Sequence, residues 1–344
     1  MTITKEAFSL ATIKDVARLA GVSPSTASRV IHDSPLISDP TKQKVRAAMK
    51  KLDYSPNFTA QNLANQKTNM IGIVLPLTSQ RVVDDPFFLK IIQGITQVCN
   101  HHDFLVLLAA GRTSQELLQN VQAMIKRGNI RNFIFTYSSE QDPVLRFVSD
   151  QPDINCVLIG KPSGDESAVI KYVDNDNVQA GSDAAWFLLS RHFNNLAYVY
   201  TDLRQVVQND RYWGAKQAIE AIPAKSLVCL KLTLDDYGYN RRAFQKFLKH
   251  NQQIDGFIAC DDAVGVRLQQ LLKITQTSKK KYGLICFNNS IFSRISHPSL
   301  TSVEVFPLQL GERAALLTLG LAKKDPDFST IVAHKIIERN STKG

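Results

Sequence analysis

Residues 12–31, TIKDVARLAGVSPSTASRVI, constrain the fold of this chain most, because polar residues stand where a buried helix would need apolar ones. Thr12 and Asp15 have the spacing of a capping box at the start of a helix. Gly21 suits the left-handed residue that ends this helix, and Pro24 suits the first position of another, where no backbone donor is needed. The stretch therefore predicts a helix, a tight turn and a second helix.

Both helices are predicted to bury one face, and the second is predicted to be capped by Ser23. The buried side chains would be Val16, Leu19, Ala20, Ala27 and Val30. The exposed face of the second helix carries Ser25, Thr26, Ser28 and Arg29. Hydroxyls and a guanidinium hydrogen-bond base edges and phosphates, although serines and threonines at a helix start often act only as caps. Nucleic-acid binding and ordinary solvation both remain open for this face.

A third helix and a polar linker follow. The stretch SDPTKQKVRAAMKKLDY predicts a helix that begins near Ser38 and completes a three-helix unit of roughly sixty residues. In the linker, Asn57 can cap a short helix over residues 58–64, which would be marginal in water without a partner. If DNA is that partner, Leu63 can wedge between base steps in the minor groove. Leu63 can also pack against a second subunit or the core, and both roles can hold at once.

From Met70 onward, short apolar runs such as MIGIVLPL and DGFIACDD alternate with amphipathic stretches such as SQELLQNVQAMIKRG. This alternation predicts parallel sheets with helices on both faces. Its length exceeds one doubly wound sheet, so we expect two similar subdomains with chain crossings near Lys171, Leu300 and Lys324. A ligand is then expected between the subdomains, at the carboxyl ends of the strands.

Composition narrows the function classes. The formal net charge of +10 favours a polyanionic partner. Five widely spaced cysteines indicate a reduced, cytoplasmic chain, and we find neither a signal-peptide pattern nor an apolar stretch that could span a membrane. The sequence has no glycine-rich phosphate loop, no GxSxG and no metal-ligand cluster, so we predict no enzyme, no cofactor and no metal site.

The helix-turn-helix motif, the linker YSPNFTAQNLA and the alternating core resemble, in this order and over the whole chain, the lactose-repressor family of bacterial transcription regulators. Finer features, DDPFFLKIIQGI and CFNNSIFSRISHPSLTSV among them, resemble the maltose-responsive branch. The resemblance implies an α/β fold with an N-terminal three-helix helix-turn-helix headpiece and a hinge helix. Two doubly wound parallel-sheet subdomains of the periplasmic-binding-protein type would follow.

The resemblance also implies domain boundaries. They are a headpiece over residues 1–56, a hinge helix and linker over 57–69, and an effector-binding and dimerisation core over 70–344. The core would comprise an N-subdomain over about 70–170 and 301–324 and a C-subdomain over about 171–300 and 325–344.

Site residues are carried over position by position. Those implied for the major groove and its phosphates are Thr12, Pro24, Ser25, Thr26, Ser28 and Arg29. Those implied for the hinge and minor groove are Asn57, Ala60 and Leu63. Those implied for the effector cleft are Phe87 and Phe88 in the first strand-to-helix loop, Tyr137, Arg211, Trp213, Asp261 and Asn288. An Arg211–Asp261 ion pair is the structural alternative, and whether Tyr137 or Trp213 stacks on a sugar stays open.

The resemblance implies a homodimeric repressor that a sugar, maltose or a maltodextrin, releases from a pseudo-palindromic operator. A dimer is favoured over a tetramer because no heptad segment follows the core. One alternative is a relative that needs a co-repressor or a phosphocarrier protein to bind DNA. Another is a sugar-binding receptor without DNA function, which the basic headpiece and the missing signal peptide disfavour.

Overall fold

The computed structural model describes residues 11–31, 33–54, 68–76, 86–137, 141–162, 170–275, 280–322 and 329–343. The predicted hinge residues Asn57, Ala60 and Leu63 lie outside these ranges, so their roles stay predictions. The chain divides into two compact units, Met1–Asn69 and Met70–Gly344, which are the N-terminal unit and the core unit below. All five cysteines are free thiols. Within the described ranges, every helix is too short or too polar to cross a membrane.

The described residues of the N-terminal unit form three helices, α1 Ile13–Ala20, α2 Pro24–Ile31 and α3 Asp39–Lys51. The predicted capping box is confirmed: the Asp15 N–H donates to Thr12 Oγ1, and the Thr12 N–H donates to Asp15 Oδ2 over 3.0 Å. Gly21 ends α1 with φ of 68°, in the left-handed region where a side chain would be strained. The helix, turn and helix of the sequence prediction are therefore present.

A small core joins these three helices. Its buried side chains are Val16, Ala17, Ala27, Val30, Val45 and Ala48. The prediction for Leu19 is wrong, because this side chain is 45% exposed and Ala17 is buried instead. The reason is that α1 packs against both α2 and α3, so its buried face is centred on Val16 and Ala17.

The Ser23 cap gives a first testable prediction. The Thr26 N–H donates to Ser23 Oγ over 3.1 Å, so Ser23→Ala removes a true N-cap of α2. We expect the N-terminal unit to lose about 1 kcal/mol of stability, seen as roughly fivefold faster hydrogen exchange of the α2 amides in the full chain. Ser38→Ala is the matched control, because Ser38 precedes α3 without a side-chain capping bond. Equal exchange in both variants would contradict the capping role.

The core unit is built from twelve strands and nine helices among the described residues. The strands are β1 Met70–Val74, β2 Leu105–Ala109, β3 Asn132–Phe135, β4 Asn155–Ile159, β5 Lys171–Asn175, β6 Leu196–Tyr200, β7 Val228–Lys231, β8 Gly256–Ala259, β9 Gly283–Phe287, β10 Thr301–Glu304, β11 Ser329–Val332 and β12 Lys335–Ile337. The helices are α4 Pro86–His101, α5 Ser114–Lys126, α6 Pro143–Ser149, α7 Asn177–Ser190, α8 Val206–Glu220, α9 Tyr237–His250, α10 Asp262–Thr275, α11 Ile291–Ile295 and α12 Pro307–Thr318.

These strands form two six-stranded sheets, one in each subdomain. The first has the order β11–β5–β4–β3–β1–β2 and is parallel throughout, and the second has the order β12–β10–β9–β8–β6–β7. In the second sheet only the pair β10 and β12 is antiparallel. Apolar cores fill both faces of each sheet, as the short, fully apolar strands of the sequence predict.

The predicted crossings near Lys171, Leu300 and Lys324 are wrong by several residues. Strand β5 still pairs with β4 in the first sheet, β10 pairs with β9 in the second, and β11 returns to the first. The chain therefore crosses after β5, after β10 and after β11. The alternation of strands and helices could not locate these points, because an apolar strand next to a crossing carries no mark of the sheet it joins.

The Asn175 side chain contacts all three segments that connect the subdomains. Asn175, at the end of β5, donates from Nδ2 to the carbonyl of Val305 over 3.1 Å and to that of Val332 over 2.9 Å. Val305 follows β10 and Val332 ends β11, so a single buried amide contacts all three connecting segments. The carboxyl end of β5 is thus fixed at the boundary between the subdomains.

Candidate functional site

The N-terminal unit presents the predicted polar face. Pro24, Ser25 and Arg29 are exposed, and Thr26 and Ser28 are half-buried. The Ser23 hydroxyl hydrogen-bonds the hydroxyls of Ser25 and Thr26 over 2.8 and 2.9 Å, which gathers short polar groups at the start of α2. Thr12, also exposed, stands at the start of α1.

This face lies on a positively charged unit. Between Thr12 and Tyr54 the sequence has eight basic and four acidic residues. Asp33 pairs with Lys42 and Arg46 over 3.1 and 2.9 Å, whereas no carboxylate of the described residues pairs with Arg29. The hydroxyls of Ser25 and Thr26 in the first turn of α2 and the guanidinium of Arg29 in its last turn suit phosphate and base-edge contacts.

In the core unit, the predicted cleft centres on Arg211 of α8, which is only 4% exposed. Its Nε–H donates to Asn177 Oδ1 over 3.0 Å, and Nη1 donates to the Cys260 carbonyl over 2.8 Å. The guanidinium carbon lies 4.2 Å from the centroid of the Phe287 ring. Because Cys260 follows β8 and Phe287 ends β9, Arg211 reaches the carboxyl ends of the second sheet, where a ligand was predicted.

Close helix packing brings Arg211 to this place. At Gly181 on α7, a Cβ atom would stand 2.1 Å from the Arg211 carbonyl oxygen, and at Gly214 on α8, 1.8 Å from that of Val178. Only glycine allows backbones to approach this closely. The two glycines therefore press α8 onto the first turns of α7, where Asn177 receives the Arg211 Nε–H.

Asp261 and Asn288 stand at neighbouring strand ends. Asp261 follows β8 and accepts the Val264 N–H on Oδ1 over 2.7 Å, at the first turn of α10. Asn288 follows β9 with φ of 86°, and its N–H donates to the Val303 carbonyl over 3.0 Å. The Asp261 charge acts on Arg211, since it opposes the lowering of the Arg211 pKa by burial, so the ion-pair alternative stays open. The structure thus brings Arg211, Asp261 and Asn288 to one edge of the second sheet.

Two residues that sequence reasoning missed lie behind Arg211. Asn177 Nδ2 donates to Asp174 Oδ1 over 3.0 Å, and the Asn175 N–H donates to the same oxygen over 2.7 Å. Burial raises the pKa of Asp174 to about 6, although the Asn175 N–H and Arg211 oppose this rise. Burial also lowers the pKa of Arg211. The signal in the sequence was DNDN, four polar residues directly after an apolar strand.

A polar pocket of about 200 Å³ opens beside this group. It is lined by Lys161, Tyr172, Asp174, Asn175, Asp176, Asn177, Val178, Asp210 and Ile331. Burial raises the pKa of Asp210, and the Lys161 charge opposes the rise. Donors, acceptors and apolar surface close together can bind a ligand rich in hydroxyl groups.

The four aromatic candidates have different placements. Phe87 and Phe88 lie in the first turn of α4 and not in a loop, with ring centroids 5.4 Å apart. Phe87 packs against the cores of both subdomains, so it lies at their boundary. Tyr137 follows β3, and burial raises the pKa of its phenol, with Asp142 adding to the rise.

Trp213 is not brought to the cleft. It is 45% exposed, and the Lys216 Nζ lies 4.8 Å from the centroid of its ring. Two residues along a helix correspond to a turn of about 200°. Trp213 therefore lies on the face of α8 opposite to the buried Arg211, which corrects its placement in the cleft.

The raised pKa of Asp174 gives a second prediction, on stability. A pKa raised from 3.8 to about 6 means that stabilisation present below pH 3.8 is lost as pH rises through 6. The rise corresponds to about 3 kcal/mol. We expect Asp174→Asn to match the wild type in free energy of unfolding near pH 4 and to exceed it by up to this amount near pH 8. Urea unfolding between pH 4 and pH 8 measures the difference in free energy of unfolding between the variant and the wild type. A difference that does not change with pH would contradict the raised pKa of Asp174.

Comparisons with known proteins add independent information. Residues 12–57 match the model of bacterial regulatory proteins, lacI family, and residues 185–342 match the periplasmic binding protein-like domain. The transcriptional regulator MalR of Streptococcus pneumoniae serotype 4 is 31% identical over 342 residues, which cover 95% of this chain and 99% of that protein.

Two solved structures are similar in fold. One is described as a probable maltose operon transcriptional repressor from Staphylococcus aureus, with a TM-score of 0.74 and 22% identity, covering 81% of this chain and 99% of that one. The other is a lac repressor dimer bound to operator and an anti-inducer, with a TM-score of 0.74 and 17% identity, covering 97% and 100%.

Proposed function

This chain belongs to the lacI family of bacterial regulatory proteins, and from this premise we propose that it is a homodimeric repressor which a sugar releases from a pseudo-palindromic operator. It is a DNA-binding transcriptional regulator and not an enzyme. The observation that carries the proposal is Arg211, buried and hydrogen-bonded at the strand ends of a core that the same chain joins to a helix-turn-helix unit.

The effector site would use the polar residues at the subdomain boundary. Arg211, Asp261 and Asn288 supply the hydrogen bonds that sugar hydroxyls need, and Phe87, Phe88 and Tyr137 supply apolar faces for a pyranose ring. We assign no stacking role to Trp213, since it lies on the outer face of α8. The likeness to a probable maltose operon repressor supports maltose or a maltodextrin as the sugar.

The DNA site would be divided between the headpiece, residues 1–56, and the hinge, residues 57–69. The headpiece residues proposed for the major groove and phosphates are Thr12, Pro24, Ser25, Thr26, Ser28 and Arg29. The hinge residues proposed for the minor groove are Asn57, Ala60 and Leu63, with Leu63 as a wedge. The core, residues 70–344, would bind the sugar and the second subunit.

Regulation requires a difference in sugar affinity between two states. The sugar must bind DNA-free protein more tightly than DNA-bound protein, typically by about 1–3 kcal/mol. A sugar that binds both states equally would regulate nothing. In our proposal, sugar binding closes the two subdomains and prevents the paired hinge helices from forming over the minor groove.

The homodimer is supported by strand β2, which is one of the two edge strands of the first sheet among the described residues. Leu105, Leu107 and Leu108 on this edge are all exposed, and an exposed apolar edge strand is a site for a second chain. The similar lac repressor structure is itself described as a dimer. We propose that a second copy of this chain covers β2.

This arrangement predicts that Leu108→Glu lowers the dimer affinity at least about tenfold, because the interface would bury an unpaired carboxylate. Sedimentation velocity over a concentration series measures the dissociation constant. Leu321→Glu, another exposed leucine of the core unit, is the control and leaves dimerisation unchanged. Equal dimer affinity in wild type and Leu108→Glu would exclude β2 as the interface.

The repressor function is tested with DNA that the protein itself selects from a random library. Fluorescence anisotropy then measures affinity for the selected site with and without maltose, with cellobiose as the comparison sugar. We expect maltose to weaken DNA binding by about 5- to 150-fold. If maltose strengthens DNA binding, the co-repressor alternative is favoured. If the protein binds DNA only together with a phosphocarrier protein, the phosphocarrier-dependent alternative is favoured.

A further inference from the structure

The contacts around Arg211 go beyond what a ligand-binding arginine requires. Its Nε and Nη1 are committed to Asn177 and to the Cys260 carbonyl, and Nη2 has no hydrogen-bond partner among the described residues. Asn177 uses both ends of its amide, since Oδ1 accepts from Arg211 and Nδ2 donates to Asp174. A carboxylate, an amide and a guanidinium thus form one buried chain of hydrogen bonds.

Resting on the function proposed above, we propose that Asp174 and Asn177 are positioning residues, which act through Arg211 and aim its Nη2 at the sugar. Asp174 fixes which end of the Asn177 amide faces Arg211, because a carboxylate accepts hydrogen bonds and so selects the NH₂ end. Asn177 Oδ1 then turns to the Nε–H of Arg211. A guanidinium held by two fixed acceptors keeps its remaining donors in one plane and direction.

This chain of contacts also connects the subdomains. Asp174 lies on β5 in the first sheet, whereas Arg211 lies on α8 against the second. Asn177 opens α7, directly after the first crossing. A shift of Arg211 on sugar binding would therefore be transmitted through Asn177 and Asp174 to the three connecting segments that Asn175 contacts.

The ionisation of Asp174 should control this positioning. Protonated Asp174 is a weaker and less selective acceptor, so Arg211 would be held less firmly below the Asp174 pKa of about 6. The charged groups that face Asp174 are Arg211 and Asp210 from α8, Asp176 before α7 and Lys161 after β4, with Tyr172 on its own strand. Sugar affinity is thus expected to fall as pH falls through 6.

The first readout needs no sugar. In full-length protein labelled with ¹⁵N-arginine, the buried Nε–H of Arg211 should exchange slowly with solvent. Asn177→Ala removes its acceptor, and we expect at least about tenfold faster exchange. Exchange that is as slow in Asn177→Ala as in the wild type would overturn the proposal, because the Nε–H would then be held by something else.

The second readout is calorimetric titration of maltose between about pH 5 and pH 8. We expect wild-type affinity to fall several-fold toward pH 5 and Asn177→Ala to bind at least about tenfold more weakly than wild type at every pH. Asp174→Asn puts a neutral amide in place of the carboxylate, as protonation does, so at pH 8 it should bind about as weakly as the wild type does near pH 5, and it should lose the pH dependence. A pH dependence unchanged in Asp174→Asn would overturn the role of Asp174.

A matched variant separates Asp174 from a second buried carboxyl. Burial raises the pKa of Asp262 to about 6 as well, but its Oδ2 accepts the Ser290 N–H, away from Asn177. Asp262→Asn should therefore keep the pH dependence of maltose binding, and its loss there would contradict our assignment. If wild-type protein binds no maltose, the proposed sugar is wrong, whereas the exchange of the Arg211 Nε–H still decides the positioning role.

Discussion

Arg211→Ala is expected to abolish the response to maltose, with a loss of sugar affinity of at least about 100-fold, while sugar-free operator binding stays close to wild type. The reason is that Arg211 supplies charge-assisted donors in a buried place where water cannot replace them. In our proposal the residues that contact the operator lie in the N-terminal unit, whereas Arg211 lies in the core unit. Fluorescence anisotropy with selected DNA, with and without maltose, measures both effects in one titration.

Two further variants make this result specific. Arg211→Lys keeps a positive charge but loses the planar fork, so we expect it to retain a response at about tenfold weaker sugar affinity. Arg112→Ala removes a surface arginine that pairs with Glu116, and it should behave as wild type. A normal maltose response in Arg211→Ala would mean that the sugar binds elsewhere in the core.

Arg29→Ala is expected to lower affinity for the selected operator by about 10- to 100-fold and to leave maltose affinity unchanged. Arg29 is exposed on α2, four residues after Ser25 and three after Thr26 and therefore on the same side of the helix, and no carboxylate of the described residues neutralises it. Anisotropy with the operator and with single-base variants of it measures the loss and its sequence dependence.

The pattern of loss identifies the contact. If Arg29 contacts a base, Arg29→Ala should discriminate less well between bases at one position of each half-site. If Arg29 contacts a phosphate, the variant should lose affinity equally for all sequences, and the slope of log affinity against log salt concentration should fall by about one. Arg18→Ala is the control, because Arg18 lies on α1 and pairs with Asp15. Unchanged operator affinity in Arg29→Ala would remove α2 from the DNA interface.

The features that sequence predicted well depend on neighbours within a few residues. Thr12 and Asp15 contact each other across one helical turn, and the backbone of Gly21 follows from its own missing side chain. Such local chemistry is visible in sequence. The alternation of strands and helices likewise predicted two parallel sheets, because fully buried strands must be apolar on both faces.

The features that sequence missed depend on distant contacts. Strand β5 lies between β4, the strand before it in the chain, and β11, near the far end of the chain, and the pairing with β11 could not be read from local sequence. Asp174 and Asn177 acquire their role from Arg211, which another helix brings against them. Trp213 and Arg211 stand two positions apart on α8, so helix geometry alone places their side chains on opposite faces.

The measurement that tests the central claim most directly is calorimetric titration of maltose into the same protein, free and bound to its selected operator. Our account predicts saturable binding of one maltose per subunit to the free protein and about 5- to 150-fold weaker binding to the complex. Equal affinity in both titrations would contradict the claim that a sugar in the core controls DNA binding, and no binding to free protein would exclude maltose as the effector.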